Sequence, residues 1–274
     1  MNWIEYCSLS ALLVYAVASV AVVAGLLGRS ARVKRLAFGL TLAGFALHTV
    51  LVIGTVAAHA ENSRLDYLVP FAWCLVAVGL LASRKPRLDI ALLFVAPLAF
   101  ALLFVAQVLH TTNSLLPETL RGPIFLLHLA GVFIGVGLMA VAAGAAVIFL
   151  WQERSIKSKT PLSGFRKDLP ALGALDRINA LATAIGFPCY TLGVLCGFVW
   201  GSIVWKTLLS GDPKELVSLF IWAIYALLFH QRQALGWRGR KPAIMALCIF
   251  IASLFSLFVV NTFLPTHHSF DTYI

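Results

Sequence analysis

The sequence predicts an all-α, polytopic membrane protein of about eight transmembrane helices, with both termini on the outer face. Three observations carry this reading. Of the 274 residues, 61% are hydrophobic and 12% are charged, where a soluble domain carries about a quarter charged residues. Apolar runs of about 20 residues, each long enough for about 30 Å of hydrocarbon, recur along the whole chain. They are continuous, where the strands of a barrel would alternate. The basic residues fall on alternate connections, which is the pattern that orients membrane proteins.

The elements follow in order. Span 1 covers about 3–27 and gives way to Arg29, Arg32, Lys34 and Arg35. Span 2, about 36–59, holds His48 near its middle and His59 at its end. Span 3, about 66–83, leads to Arg84, Lys85 and Arg87; span 4, about 88–110, ends at His110. Span 5, about 123–150, has His128 near its start and is followed by the longest soluble piece, 151–178. That piece carries Arg154, Lys157, Lys159, Arg166, Lys167 and Arg177. Span 6, about 179–205, runs into Trp200 and Trp205. Span 7, about 215–231, contains His230 and precedes Arg232, Arg238, Arg240 and Lys241; span 8 covers about 243–264. The odd-to-even connections therefore hold seventeen of the 21 Lys and Arg residues, leaving Arg64, Arg121, Lys206 and Lys214 on the other side. The positive-inside rule places the seventeen in the cytoplasm and both termini outside. Pro70, Pro97 and Pro188 lie inside spans and are expected to kink them. The whole chain reads as one integral membrane domain, 1–274.

The same pattern excludes several classes. The net charge of +10 is dispersed over short loops, so it does not indicate a nucleic-acid partner. Cys7, Cys74, Cys189, Cys196 and Cys248 all fall in apolar runs and no pair has CxxC spacing, which argues against a disulfide framework or a zinc site. There is no CxxCH, so the chain does not attach heme covalently to itself. The soluble piece 151–178 shows no enzyme motif, and no catalytic residue is assigned. Span 1 is longer than the apolar region of a secretion signal, and no cleavable signal is expected.

The seven histidines stand out in a chain with so few charges. An ionisable residue within the membrane is costly and marks function by default. For His59 and His110, at water interfaces, bland placement is favoured. His48 is balanced between function and a hydrogen bond to a carbonyl across helices. His128, His267, His268 and the stretch 200–215 share the outer level. Two neutral imidazoles facing one cavity are the usual arrangement for axial ligation of heme iron. Trp200, Trp205 and nearby aromatics offer a flat apolar wall, and Lys206, Lys214 or Arg121 suit anionic propionates. The competing reading of the tryptophans is the interfacial aromatic belt, which wins for Trp222 and ties for Trp200. The residues alone therefore specify an outer-face cofactor or ligand site, with heme as one occupant.

In order along the chain stand Trp200-Gly201, Asp212-Pro213-Lys214-Glu215, Trp222, His230, Gly236-Trp237-Arg238-Gly239-Arg240-Lys241 and His268-Ser269-Phe270. This set, with the helix around His128, resembles the CcsA/ResC/HemX family of cytochrome c assembly proteins and its WWD signature. The resemblance covers about 123–270, a heme-handling core, while the four N-terminal helices in 1–122 match in number and topology. It implies a platform for heme b at the outer membrane face that includes Trp200, Trp205 and Asp212. His128 and His268 would be its axial ligands, and His230 would belong to a second heme site within the membrane. It further implies a multi-pass protein of the bacterial cytoplasmic membrane. Such a protein presents heme to apocytochrome c beside a Ccs1/ResB-like membrane protein, as part of a holocytochrome c synthase. Ten residues separate Gly201 from Asp212, where the family pattern has about five. That departure keeps open the alternative of a HemX-like heme-binding or regulatory protein without ligation activity.

Overall fold

A computed structural model describes residues 3–58, 68–84, 91–108, 122–159, 164, 167, 169–260, 263, 264 and 266. Among these residues there are eight α-helices and no strand: α1 (Trp3–Leu27), α2 (Ala31–Ala58), α3 (Leu68–Ser83), α4 (Leu92–Val108), α5 (Pro123–Lys157), α6 (Leu172–Val204), α7 (Pro213–Gln233) and α8 (Arg240–Phe255). A π-helical turn, Ser256–Val260, continues α8. By length and composition α1, α2, α5, α6, α7 and α8 can each cross a membrane; α3 and α4 are shorter apolar helices. The chain is an all-α polytopic membrane protein.

Several expected boundaries shift for identifiable reasons. The soluble piece 151–178 is partly helical, because α5 runs on to Lys157 and α6 starts at Leu172. Charged residues extend a helix beyond the hydrocarbon at no cost, and Lys157 pairs with Glu153 one turn back at 2.8 Å. Pro97 and Pro188 lie inside α4 and α6 as expected. Pro70 does not: it is the third residue of α3, in the first turn, where no intrahelical N–H bond is lost.

The chain divides into two compact units. The first comprises 1–113 and 151–174. Within it α1 packs on α2 and α4, α3 on α4, and α2 on α3. His48 is fully buried there, with Nε2 3.1 Å from the Val69 carbonyl and Nδ1 3.3 Å from the Tyr15 hydroxyl. The carbonyl can only accept, so Nε2 carries the proton and Nδ1 accepts from tyrosine. Both ring nitrogens thus hold helices together. One turn away, the Trp73 indole N–H donates to Thr49 Oγ1 at 2.8 Å, and its ring stacks on Phe45.

The second unit comprises 114–150 and 175–274. Its core joins Met139 and Ala142 of α5 and Ala182, Tyr190 and Val194 of α6. Ile221, Tyr225 and Leu228 of α7 and Ala246 and Ile249 of α8 complete it. Small residues let α5 and α6 approach closely, as is usual where lipid supplies no hydrophobic drive between helices. A Cβ on Gly131 would lie 2.7 Å from the Gly193 backbone. Trp222, read from its position as part of an aromatic belt, instead donates its indole N–H to Thr191 Oγ1 on α6 at 3.0 Å. Its ring faces Phe187. The Trp222 indole is thus spent within the bundle.

Candidate functional site

At one end of the second unit meet the start of α5, the end of α6 and the start of α7. The α7 start is specified locally. Asp212 is the N-cap and accepts the Lys214 N–H at 2.7 Å, while Pro213 occupies the first helical position. The Asp212 N–H donates to Ser210 Oγ at 3.3 Å, and the Ser210 N–H to Glu215 Oε2 at 2.9 Å. These bonds close the turn in the manner of a capping box. The Asp212 carboxylate is buried and also accepts the Thr266 hydroxyl, at 2.8 Å from each oxygen. Thr266 follows α8, so this contact ties the segment beyond α8 to the first turn of α7. Lys214 lies near enough to Asp212 for the opposite charges to attract.

Trp200 is buried and packs between Phe125 of α5, at 5.2 Å between ring centres, and Trp205, edge-on at 5.3 Å. Its indole N–H has no hydrogen-bond partner among the described residues. An orphaned buried donor costs about 1–3 kcal/mol, and such a group calls for an explanation. One turn after Phe125 on α5, His128 is half-buried and its Nδ1 lies 2.8 Å from the Gly193 carbonyl of α6. The proton is therefore on Nδ1 and the lone pair on Nε2. An imidazole that donates Nδ1–H to a backbone carbonyl has the tautomer and orientation of a metal-ligating histidine. The structure thus brings Trp200 against Trp205 and Phe125, sets His128 one turn beyond Phe125 against α6, and leaves Asp212 at the α7 start, tied to Thr266. His268 and His267, with Arg121, His59 and His110, lie outside the described residues. A heme ligand fits the two features just described, a directed imidazole lone pair and an unspent indole donor. Among the described residues no group of three or more His, Cys, Asp and Glu side chains could hold a metal ion.

His230 belongs to the other end of α7, fifteen residues beyond Glu215 and so roughly 20–25 Å away along the helix. Its side chain is exposed. The buried group at that end is Arg232, which the sequence reading treated as a loop cation. Its Nη2 donates to Asp176 Oδ1 at 3.0 Å and to Asn179 Oδ1 at 2.6 Å, and its Nη1 to the Trp237 carbonyl at 3.4 Å. Asp176 also accepts the Gly239 N–H at 2.9 Å, and Asn179 donates to the Ala142 carbonyl at 3.2 Å. Gly236 and Gly239 have φ of 64° and 79°, which the turn into α8 needs. Lys241 sits 5.1 Å above the Trp237 ring. The glycine-tryptophan-arginine stretch that the sequence singled out is therefore a turn clamped to α6. Asp176 and Asn179 escaped notice because the arginine they share lies more than fifty residues away. Thr266 escaped because a threonine beside two histidines carries no pattern of its own.

Known proteins match this chain over most of its length. The family profile described as Cytochrome C assembly protein matches residues 65–268. Cytochrome c biogenesis protein CcsA of Chlamydomonas reinhardtii is 28% identical over 230 residues, covering 81% of this chain and 64% of that protein. The CcsA protein of Gloeobacter violaceus is 25% identical over 266 residues, covering 77% and 78%. Among solved structures, Cytochrome c Heme Lyase CcmF superposes with a TM-score of 0.67 at 17% identity, over 93% of this chain and 46% of that one. That similarity concerns the fold. With a family profile spanning 65–268, the chain belongs to the cytochrome c assembly protein family.

Proposed function

We propose that this protein handles heme b during cytochrome c assembly, binding it at the outer membrane face and presenting it to apocytochrome c. His128 and His268 would hold the iron. Trp200 and Trp205 would form the wall, and Asp212 would shape the adjoining turn. The observation that carries this reading is the His128 imidazole, fixed by its Nδ1–H to the Gly193 carbonyl so that Nε2 is the coordinating atom. The buried Trp200 N–H adds a donor suited to an acceptor group of the cargo.

Heme supplies the vinyl groups to which the thiols of an apocytochrome CxxCH add. The chain's own contribution is positioning. His128 would hold the iron, Trp200 and Trp205 would pack against the macrocycle, and the Asp212–Thr266 contact would tether the chain just before His268. A Ccs1/ResB-like membrane protein is the proposed partner, and the bacterial cytoplasmic membrane the proposed site. His230 is proposed for a second, inner heme with a ligand from elsewhere.

The test is an absorption spectrum and heme stain of the purified protein and its variants. His128→Gly and His268→Gly should each lower bound heme and cytochrome c yield, and added imidazole should partly restore both by filling the vacated position. His267→Ala should do less. Unchanged heme content in both glycine variants would end this reading. His230→Ala should reduce copurifying heme with membrane insertion intact; normal heme there would leave His230 an exposed surface histidine. A periplasm-active reporter fused after Ile274 should be active and one fused within 155–170 silent, and the reverse pattern would turn the site to the cytoplasm.

A further inference from the structure

We infer that Gly197 is a positioning residue for His128, reserving the space in which the imidazole takes the orientation needed for coordination. Gly193, Gly197 and Gly201 recur every four residues on one face of α6, yet each faces a different neighbour. A Cβ on Gly193 would meet α5 backbone, 2.5 Å from Val132 N and 2.8 Å from Gly131 C. A Cβ on Gly201 would touch the Trp205 ring at 3.0 Å. For a Cβ on Gly197 the three nearest atoms all belong to the His128 ring, with Nδ1 at 2.6 Å and Cε1 at 2.8 Å. Gly193 thus serves the approach of two helices, while Gly197 serves one side chain.

The consequence follows from where the ring is anchored. Its Nδ1 donates to the Gly193 carbonyl, one turn earlier on the same face of α6, so the ring lies flat along the groove that Gly197 leaves. A methyl group at 197 displaces the ring at the nitrogen that makes this bond. With the bond goes the fixed tautomer and the direction of the Nε2 lone pair. Losing such an orienting partner lowers metal affinity by about 10–100-fold. The inference rests on the proposed role of His128, and the experiment separates the two.

Full-length protein in detergent is titrated with heme b and followed by absorption spectroscopy, alongside Gly197→Ala, Gly173→Ala, His128→Gly and the Gly197→Ala/His128→Gly double variant. Gly173 lies on the same helix, and a Cβ there meets nothing within 4 Å. Gly197→Ala should bind heme about 10–100-fold more weakly, lose the spectrum of the axially ligated iron, and regain it with added imidazole. Gly173→Ala should match the parent protein. With the ring removed, Cβ at 197 has nothing to displace, so the double variant should accumulate and respond to imidazole like His128→Gly alone. This holds even where Gly197→Ala itself is poorly produced. Three outcomes overturn the inference: a parental spectrum in Gly197→Ala while His128→Gly loses it, a Gly197→Ala defect that imidazole does not touch, or a double variant as depleted as the single one. A parental spectrum in His128→Gly removes the proposed function together with this inference.

Discussion

The two ends of the second unit each hold an aspartate in a hydrogen-bond network, one half-buried and one buried, and they use it differently. At the α7–α8 end, Asp176 faces Arg232, so charge meets charge, and the Gly239 N–H and Asn179 complete the group. At the α6–α7 end, Asp212 has its backbone cap and the Thr266 hydroxyl, and on the preceding helix the Trp200 indole N–H has no partner among the described residues. The first arrangement joins charge to charge and reads as a clamp holding α6, α7 and the turn into α8, with Arg232 Nε the guanidinium nitrogen that has no partner among the described residues. In the second the carboxylate is held by backbone and hydroxyl donors, one short loop beyond the Trp200–Trp205 pair. The glycine-tryptophan-arginine stretch and the Asp-Pro-Lys-Glu stretch both carry the family resemblance, and only the second was expected at the site. Their partners set them apart.

Substitutions can break or sharpen this contrast. The largest loss is expected from Arg232→Met, which leaves the half-buried Asp176 without its charge partner; removing one member of a fully buried pair costs about 3–5 kcal/mol, and solvent reaching Asp176 brings the loss below that range. The variant should accumulate poorly and unfold earlier in a thermal assay, with no response to imidazole. Parental stability would mean that the clamp is not structural. Next comes Asp212→Ala, which removes the α7 cap, worth about 1 kcal/mol, and the acceptor of the Thr266 hydroxyl. Asp212→Asn keeps a capping oxygen and should cost less than alanine. An asparagine variant as impaired as alanine in heme binding would assign the carboxylate charge itself to the site. Thr266→Val should lose about 1 kcal/mol, the net value of one hydrogen bond, and somewhat more because the acceptor is a carboxylate. Thr266→Ser should restore it. The smallest effect belongs to Trp222→Phe, which gives up the bond to Thr191 while keeping an aromatic ring against Phe187, at about 0.5–1.5 kcal/mol. It should leave heme binding unchanged in the same titration.

His48 and His128 show why the site was only partly legible. Both are histidines within apolar helices, and the sequence rated His48 evenly between function and packing. Neither neighbour of His48 is close in sequence: Tyr15 comes from α1 and Val69 from α3. Only their meeting consumes both ring nitrogens. His128 was singled out from its level and from the resemblance, but its tautomer depends on a carbonyl sixty-five residues away. Trp222 and Pro70 make the same point on a smaller scale. One was expected at an interface and found bonded to the next helix; the other was expected to kink a helix and found starting one.

The sequence by itself determined that the chain is a bundle of membrane-crossing helices, because continuous apolar length and the absence of charge are properties of each segment alone. It also determined the α7 start, because Asp212, Pro213 and Glu215 satisfy the first turn through bonds that span two to five residues. What only the tertiary structure decided is which polar groups are spent and which remain. A buried donor or acceptor is satisfied by whatever the fold brings to it. Thr266 reaches Asp212, Asp176 reaches Arg232, and Gly197 makes room for the His128 ring, all across more than fifty residues of chain.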